Sequence, residues 1–436
     1  MMCPVCGIGE ALALWENGSA PTECANPQHD LLKHCPDCGK LFGMDDIYCD
    51  EARCDNRELE APPSTWADVD GGVQRRRFVR TTGWSLENHA TARAEITPWN
   101  TRFSKDAGDT LISAYGRLYM DSDPNVLGCR GDGDLIEFQS ARPMPWPTSI
   151  VAHSGRVAVL SRTSAYLLDA TNLIDLFTLK TSSNAQIIAD GYWWLMGKNG
   201  ITRLKLEDAE AGLEPETIWS EPCDDALPPV RLEQGSIWIP MTDGRQVVVN
   251  LDANVTILEP LPDDEQPFGA FCTDGLAVLL SHRGESGSAI RVWKLSALVG
   301  GDGPSQPPCF WDVKLRRTWG ARDKTAYVCA ANGHIVHRIR LEQLTYRSNE
   351  ISVAADDPLE DLILLEDKLL IRTKNGQFRT IDAETERSEL WNDAWSGRSI
   401  KSWAIWGDSI VAVLPESDHC RIVKIPRQTR GFGENL

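Results

Sequence analysis

The sequence predicts an all-β protein whose main part is a β-propeller of eight blades. Two observations favour this architecture. From about residue 75 onward, short apolar strands alternate with Gly, Asn and Asp, and helical periodicity is almost absent. In addition, one turn-plus-strand unit recurs along the chain at intervals near 40 residues, a period typical of propellers, in which each unit forms one four-stranded blade.

The repeating unit is a small or acidic turn residue followed by an apolar strand, as in Gly155-Arg-Val-Ala-Val. Successive copies begin 36 to 49 residues apart. Eight copies predict eight blades, and seven is the alternative if the first copy is irregular. The copies begin at Gly116, Gly155, Gly191, Gly235, Gly275, Lys324, Asp367 and Asp408.

We expect the blades to close into a ring, because an open ring would leave two sheet edges unpaired. The last copy ends near Pro426 without a fourth strand, and only a polar tail follows it. Residues 76–81 are therefore predicted to supply that strand, so that the two ends of the domain meet in one blade.

Two local signals support the strand assignment. Asn-Gly pairs at 199–200 and 375–376 separate apolar runs, which predicts two-residue hairpins with positive φ at both turn positions. Three tryptophans end predicted outer strands, where we expect them to pack between blades. They are Trp219, Trp311 and Trp391.

The N-terminal residues carry a different pattern, in which cysteines recur at metal-ligand spacings. Two C-x2-C-G knuckles are each followed by a second pair with four residues between its members, which predicts two consecutive four-ligand zinc sites. His34 is the alternative to His29 as the fourth ligand of the first site. The first site is Cys3, Cys6, Cys24 and His29, and the second is Cys35, Cys38, Cys49 and Cys54.

This arrangement resembles the tandem zinc-ribbon modules at the ends of many bacterial and archaeal proteins. Four protein ligands leave each ion without an open position, so we expect two structural Zn2+ ions and no catalytic one. An interleaved wiring would instead resemble RING-type fingers, whose members bind ubiquitin-conjugating enzymes. Its spacings fit less well, because a RING ends in C-x2-C whereas both second pairs here have four intervening residues.

The chain is accordingly divided into three parts. Residues 1–56 are predicted to form the tandem zinc ribbon and residues 75–430 the propeller. Between them, residues 57–74 have the Pro- and Gly-containing composition of a linker.

One blade carries a more specific likeness. Residues 376–391, GlyGlnPheArgThrIleAspAlaGluThrGluArgSerGluLeuTrp, resemble the repeat of the quinoprotein-type (PQQ-like) propellers, and residues 166–171 are a weaker copy. The resemblance implies the fold, because that family contains both quinone-dependent dehydrogenases and non-enzymatic scaffolds. The vicinal Cys-Cys pair and the calcium-quinone site of the enzymatic branch are not visible in the sequence, so no enzyme is expected.

The composition of the chain limits the kinds of partner that the protein is expected to bind. The net charge of −19 argues against nucleic acid as a partner, and no apolar run approaches the ~20 residues that cross a bilayer. The N-terminus lacks the features of an export signal, so we expect a cytoplasmic protein.

A short basic cluster, Arg75, Arg76, Arg77 and Arg80, is interpreted as a solvated outer strand. The isolated cysteines after residue 60 are predicted to be small buried hydrophobes.

Several fragments that suggest chemistry have simpler explanations. Residues 121–125 have carboxylates at calcium-loop spacing but lack the loop glycine, and residues 284–287 only partly match a nucleophile turn. Both are predicted to be hairpin loops. His334 and His337 bracket a predicted hairpin and are expected to be surface residues rather than metal ligands.

These observations predict a non-enzymatic scaffold. The propeller would present one face to a protein partner, and the zinc ribbons would engage a second one. Fusions of this kind resemble accessory components of bacterial multi-protein systems that contain ATPases and von Willebrand-type proteins. The alternative is a RING-like ubiquitin-type ligase with a substrate-selecting propeller, and a propeller hydrolase or lyase is the third possibility. No small-molecule substrate is evident.

Overall fold

The computed structural model describes residues 103–425 apart from short interruptions, together with strand residues 33–34, 41–42 and 97–98. Strands β1 (Lys33–His34) and β2 (Leu41–Phe42) form an antiparallel pair. All the other strands belong to eight sheets.

Seven of these eight described sheets are antiparallel meanders whose four strands follow one another in chain order, and the eighth combines three consecutive strands with two short strands from the start of the domain. In the first half of the ring, the strands of blades 1 to 4 are as follows. Blade 1 has β5 (Leu111–Ala114), β6 (Arg117–Ser122), β7 (Asn125–Arg130) and β8 (Glu137–Ser140); blade 2 has β9 (Pro147–His153), β10 (Arg156–Ser161), β11 (Ser164–Asp169) and β12 (Asp175–Lys180); blade 3 has β13 (Ser183–Ala189), β14 (Tyr192–Gly197), β15 (Gly200–Lys205) and β16 (Glu216–Trp219); blade 4 has β17 (Val230–Arg231), β18 (Ile237–Pro240), β19 (Gln246–Val249) and β20 (Val255–Ile257).

The second half repeats this arrangement. Blade 5 has β21 (Glu265–Thr273), β22 (Leu276–Arg283), β23 (Gly287–Lys294) and β24 (Cys309–Trp311); blade 6 has β25 (Leu315–Arg322), β26 (Thr325–Ala330), β27 (Ile335–Arg340) and β28 (Asn349–Ser352); blade 7 has β29 (Leu359–Leu364), β30 (Lys368–Thr373), β31 (Phe378–Asp382) and β32 (Ser388–Asn392); blade 8 has β33 (Ser402–Trp406), β34 (Ser409–Pro415) and β35 (His419–Ile425).

The eight predicted repeats correspond to the second strand of each blade, from β6 to β34. The prediction of eight blades is therefore confirmed. Two short helices interrupt the strands, α1 (Leu206–Glu210) in blade 3 and α2 (Leu295–Gly300) in blade 5. At five and six residues, neither of these helices of the described part can cross a bilayer.

The apolar core lies in the seams between neighbouring blades. Each described cluster of buried side chains combines residues of adjacent sheets; Trp194 of blade 3, for example, belongs to the same cluster as Ile239 of blade 4. Trp219 packs against that cluster and Trp311 lies between blades 5 and 6, which confirms the predicted inter-blade role of both residues. The side chain of Trp391 lies outside the described residues.

Blade 8 receives its outer strand from the beginning of the domain. Strands β3 (Thr97–Pro98) and β4 (Phe103–Ser104) both pair with β35. The closure of the ring by an N-terminal segment is thus confirmed, but the assignment of residues 76–81 to this strand is wrong. Residues 76–81 lie outside the described residues, and the edge of β35 is already paired with β3 and β4.

The Asn-Gly hairpins also differ in detail from the prediction. Gly197 pairs with Gly200, so the two turn residues are Lys198 and Asn199, and only Gly200 has a positive φ, 88°. Gly200 thus supplies the left-handed conformation at the end of the turn, which glycine adopts without steric cost. Turns with two positive φ values occur instead at Asp190-Gly191 and Asp274-Gly275.

Candidate protein-binding face

The eight predicted zinc ligands, Cys3, Cys6, Cys24, His29, Cys35, Cys38, Cys49 and Cys54, lie outside the described residues. The described pair β1–β2 brackets residues 35–40, which contain the second knuckle. His34, the alternative ligand, lies in β1, where it is the register partner of Leu41.

The propeller has two ends, which differ in the loops that form them. At one end lie the loops that connect successive blades and the hairpins between second and third strands; we call it the entry face, because the first strand of each blade begins there. The opposite end carries the other hairpins, and we call it the exit face.

β-Bulges cluster at the entry face. In five blades the first strand carries extra residues near its start, at Thr148, Asn184, Phe268, residues 316–318 and Glu360. A bulge re-aims side chains and increases the local twist, and bulges are common at barrel rims and beside functional sites. The bulged positions therefore surround the ring axis with a rim of mixed polar side chains.

Hydrogen bonds between blades hold this rim. Thr318 Oγ1 donates to the backbone oxygen of Glu360 at 3.2 Å, and this bond joins blades 6 and 7. Asn184 Nδ2 donates to the backbone oxygen of Asp224, in the loop that leads from blade 3 to blade 4. Within blade 5, the ring of Phe268 stacks on that of His282, with ring centroids 4.3 Å apart. The rim is thus a braced surface rather than a set of independent loops.

Trp146 is the most exposed aromatic side chain of the described residues. It precedes β9 on the entry face, is 56% exposed and has a φ of 54°. A bulky residue in the left-handed region is strained, and such strain concentrates at functional sites. The Arg162 guanidinium lies 5.1 Å from the indole centroid, which favours this exposed position through a cation–π contact.

Asp121 lies beneath the entry face and is the most strongly perturbed described carboxyl group. It is 5% exposed, and Oδ1 accepts a hydrogen bond from the Thr110 backbone N–H at 2.5 Å. Burial raises the pKa of this carboxyl to about 6. Because β6 and β7 pair as far as Ser122 and Asn125, residues 121–125 form a hairpin end, as predicted.

The described residues whose sequence pattern resembled a catalytic or metal-binding group occupy ordinary positions in the fold. Residues 284–286 form the tip of the β22–β23 hairpin, as predicted for that fragment. His337 is buried on β27, so its predicted surface position is wrong, and burial lowers its pKa. No group of three His, Cys, Asp or Glu side chains in the described part is placed to hold a metal ion.

The five cysteines of the blades whose side chains are described behave as buried hydrophobes, as predicted; the side chain of Cys129 lies outside the described residues. Burial raises the thiol pKa of Cys223 and of Cys329 to about 12, so neither is a thiolate near neutral pH. The buried cysteines are Cys223, Cys272, Cys309, Cys329 and Cys420.

No protein-family model and no curated protein sequence matches this chain. Solved structures do resemble it. The computationally designed Ika8 protein aligns with a TM-score of 0.54 at 10% identity over 73% of this chain and 98% of its own. BamB from Moraxella catarrhalis aligns with a TM-score of 0.53 at 11% identity over 76% of this chain and 99% of its own. At this identity the likeness shows the fold alone, a β-propeller.

The sequence predicted the blades but neither the exposed Trp146 nor the bulges of the entry face. Trp146 stands in the run Met144-Pro-Trp-Pro147, and two prolines around a tryptophan could have indicated a constrained exposed loop. The bulges leave no comparable signal, because a bulge is a property of the pairing between two strands.

Proposed function

We propose that this chain is a non-enzymatic, cytoplasmic scaffold whose propeller binds a protein partner through the entry face. Exposed Trp146 carries this proposal, because tryptophan is enriched among the residues that contribute most binding energy at protein interfaces, and here it is held in a strained conformation beside a braced rim. The buried high-pKa thiols of the blades support the non-enzymatic assignment, since they are unsuited to nucleophilic catalysis.

The N-terminal residues are proposed to form the tandem zinc ribbon and to engage a second partner. The pairing of β1 with β2 supports this proposal, because the two strands flank the second C-x2-C pair in the sequence. Two binding modules on one chain suit an accessory component of a bacterial multi-protein system, and we propose that role.

The test is an affinity isolation from native cells with matched baits. Leu213, on the exit face, is 53% exposed and provides the control for Trp146, which is 56% exposed. We expect Trp146→Ala to lose a partner that wild type and Leu213→Ala both retain. Removing residues 1–56 should lose a different partner. A partner set unchanged by Trp146→Ala would contradict the proposed docking face.

A further inference from the structure

A part of the entry face above blades 4 and 5 carries an excess of acidic side chains, and we call it the acidic sector. Four loops form it, residues 220–229, 241–245, 258–264 and 283–286. Its exposed or half-buried acids are Glu221, Asp224, Asp225, Asp243, Glu259, Asp263, Asp264 and Glu285. Backbone hydrogen bonds join these loops in series, from the N–H of Thr242 to the oxygen of Asp225, of Leu261 to Gly244 and of Gly284 to Asp264.

The two arginines of the sector are already engaged within it. Arg245 contacts Asp243 at 2.6 Å and Asp225 at 3.4 Å, and Arg283 contacts Asp264 at 2.9 Å. The other five acids take part in no ion pair with the described residues. The sector therefore keeps uncompensated negative charge directed to solvent.

The crowding of carboxylates is visible at Asp225. Its pKa is raised by burial and, next, by the negative charge of Asp243. An incoming cation would relieve this repulsion, so the sector is electrostatically suited to a positively charged ligand.

Gln246 supplies a second observation that is independent of the charge. It follows Arg245 directly and is 1% exposed, yet neither Oε1 nor Nε2 has a hydrogen-bond partner in the described part of the chain. On β19 it shares a side of the sheet with Val248, which packs in the seam between blades 4 and 5. The amide is thus directed into that seam, at its entry-face end.

The facing wall of the seam is also polar. Glu265, at the start of β21, accepts hydrogen bonds from Arg291 Nη2 at 2.7 Å and from Ser281 Oγ at 3.1 Å. Glu265 is fully engaged by these contacts, whereas the Gln246 amide is not. A buried amide without a partner destabilises the fold, and a ligand group that supplies a donor removes that cost.

We propose that the acidic sector is the docking site for a basic, arginine-containing segment of the partner protein, with one guanidinium at the entry-face mouth of the seam, where it donates to Gln246 Oε1 while the carboxylates of the rim remain its counter-ions. This inference rests on the proposed docking function and names the chemistry of the partner. A guanidinium fits because it presents five N–H donors in a planar fork. The acids of the rim neutralise the flanking charges of the segment.

The test uses the full chain and a fluorescein-labelled peptide of alternating Arg and Gly, with a Glu-Gly peptide of the same length as the charge control. Fluorescence anisotropy measures binding at about 50 mM and about 300 mM NaCl, because screening weakens contacts between exposed charges. We expect the Arg-Gly peptide to bind, the Glu-Gly peptide not to bind, and affinity to fall at the higher salt.

Two triple variants distinguish peptide binding at the acidic sector from binding caused by the overall negative charge of the protein. Asp224→Asn/Glu259→Gln/Asp263→Asn lies in the sector, and Glu214→Gln/Asp252→Asn/Asp302→Asn removes the same charge from exposed positions of the exit face. We expect the first variant to lower affinity about tenfold or more and the second less than about twofold. Equal losses in the two variants would overturn the proposal.

Gln246→Leu tests the buried amide. Because it removes a polar group that has no partner, this variant should keep or raise the melting temperature while it lowers peptide affinity about threefold or more. Unchanged affinity would refute the contact between the guanidinium and Gln246. If the Arg-Gly peptide fails to bind although Trp146→Ala still loses its cellular partner, the basic-segment inference fails and the docking face stands.

The basic cluster of this chain, defined by its four arginines at positions 75 to 80, is the alternative occupant of the acidic sector. If replacing Arg75, Arg76, Arg77 and Arg80 with Ser raises peptide affinity more than about threefold, the sector is occupied by the chain itself and the partner proposal is overturned. Unchanged affinity supports a segment of another protein.

Discussion

Arg231 and Asp190 join blades 3 and 4 at the exit face through a buried, two-contact ion pair. Arg231 Nε donates to Asp190 Oδ2 at 2.9 Å, and Nη2 reaches the other carboxylate oxygen. The side chains are 8% and 13% exposed, so solvent screens the pair weakly. Asp190 also occupies the first position of a turn with positive φ, which connects local backbone geometry to the contact between blades.

The first prediction concerns this pair. Asp190→Asn should lower the free energy of unfolding by about 3 kcal/mol, because it leaves the Arg231 charge buried without its counter-ion. Asn tolerates positive φ, so the turn itself is preserved. Urea unfolding measures the effect, and the double variant Asp190→Asn/Arg231→Met should recover part of it. An unchanged midpoint in the single variant would show that the pair is not desolvated.

The second prediction compares two glycines. Gly200 has a φ of 88°, and a Cβ there would lie 1.9 Å from the backbone oxygen of Trp219. Gly212 has a φ of 70° and no atom within 4 Å of the same position. Gly212→Ala should therefore cost about 1 kcal/mol from backbone strain alone, whereas Gly200→Ala should cost about 3 kcal/mol or more. Thermal unfolding of the two variants checks this, and equal losses would contradict the tight hairpin of blade 3.

The third prediction concerns ring closure. A chain that begins at residue 95 keeps β3 and β4 and should retain the melting temperature of the propeller. A chain that begins at residue 106 lacks both strands and exposes the edge of β35, so it should aggregate or melt at a clearly lower temperature. Equal solubility and melting temperature of the two chains would mean that the strand pair does not close the ring.

The fourth prediction concerns pH. The pKa of Asp121 is raised by burial to about 6 in the folded state from an ordinary value of 3.8. Its contribution to stability is therefore fully present below about pH 4 and is lost as the pH rises through about 6. Asp121→Asn removes this loss, so the stability of the variant relative to wild type should increase between about pH 4 and about pH 7, by at most about 3 kcal/mol. Urea unfolding across this range measures it, and a difference independent of pH would contradict the raised pKa.

The fifth prediction concerns the wiring of the zinc sites. Sequential wiring predicts that peptides 1–32 and 33–56 each bind one tetrahedral Co2+, used as a spectroscopic substitute for Zn2+, with three and four thiolate ligands respectively. Interleaved wiring of the RING type predicts that neither peptide binds alone and that only their mixture does. The intensity of the thiolate-to-cobalt absorption distinguishes these outcomes.

The sequence predicted the blades because their second strands are continuously apolar and buried between two neighbours, as in Val157-Ala-Val-Leu160. It misplaced the closing strand because β3 and β4 have two residues each and carry no periodic pattern. It could not predict the acidic sector, since the loops that carry Asp225, Asp243 and Asp264 meet only in the folded blades. Gln246 has no distinguishing feature in the sequence, because its burial is visible only in the structure.

The proposed docking surface is the entry face and not the exit face. Photo-crosslinking in native cells distinguishes the two faces, with a benzophenone amino acid placed at Thr148 on the entry face or at Leu213 on the exit face. A discrete crosslinked species is expected from position 148 and none from position 213. Crosslinking from position 213 alone would show that the partner binds the exit face.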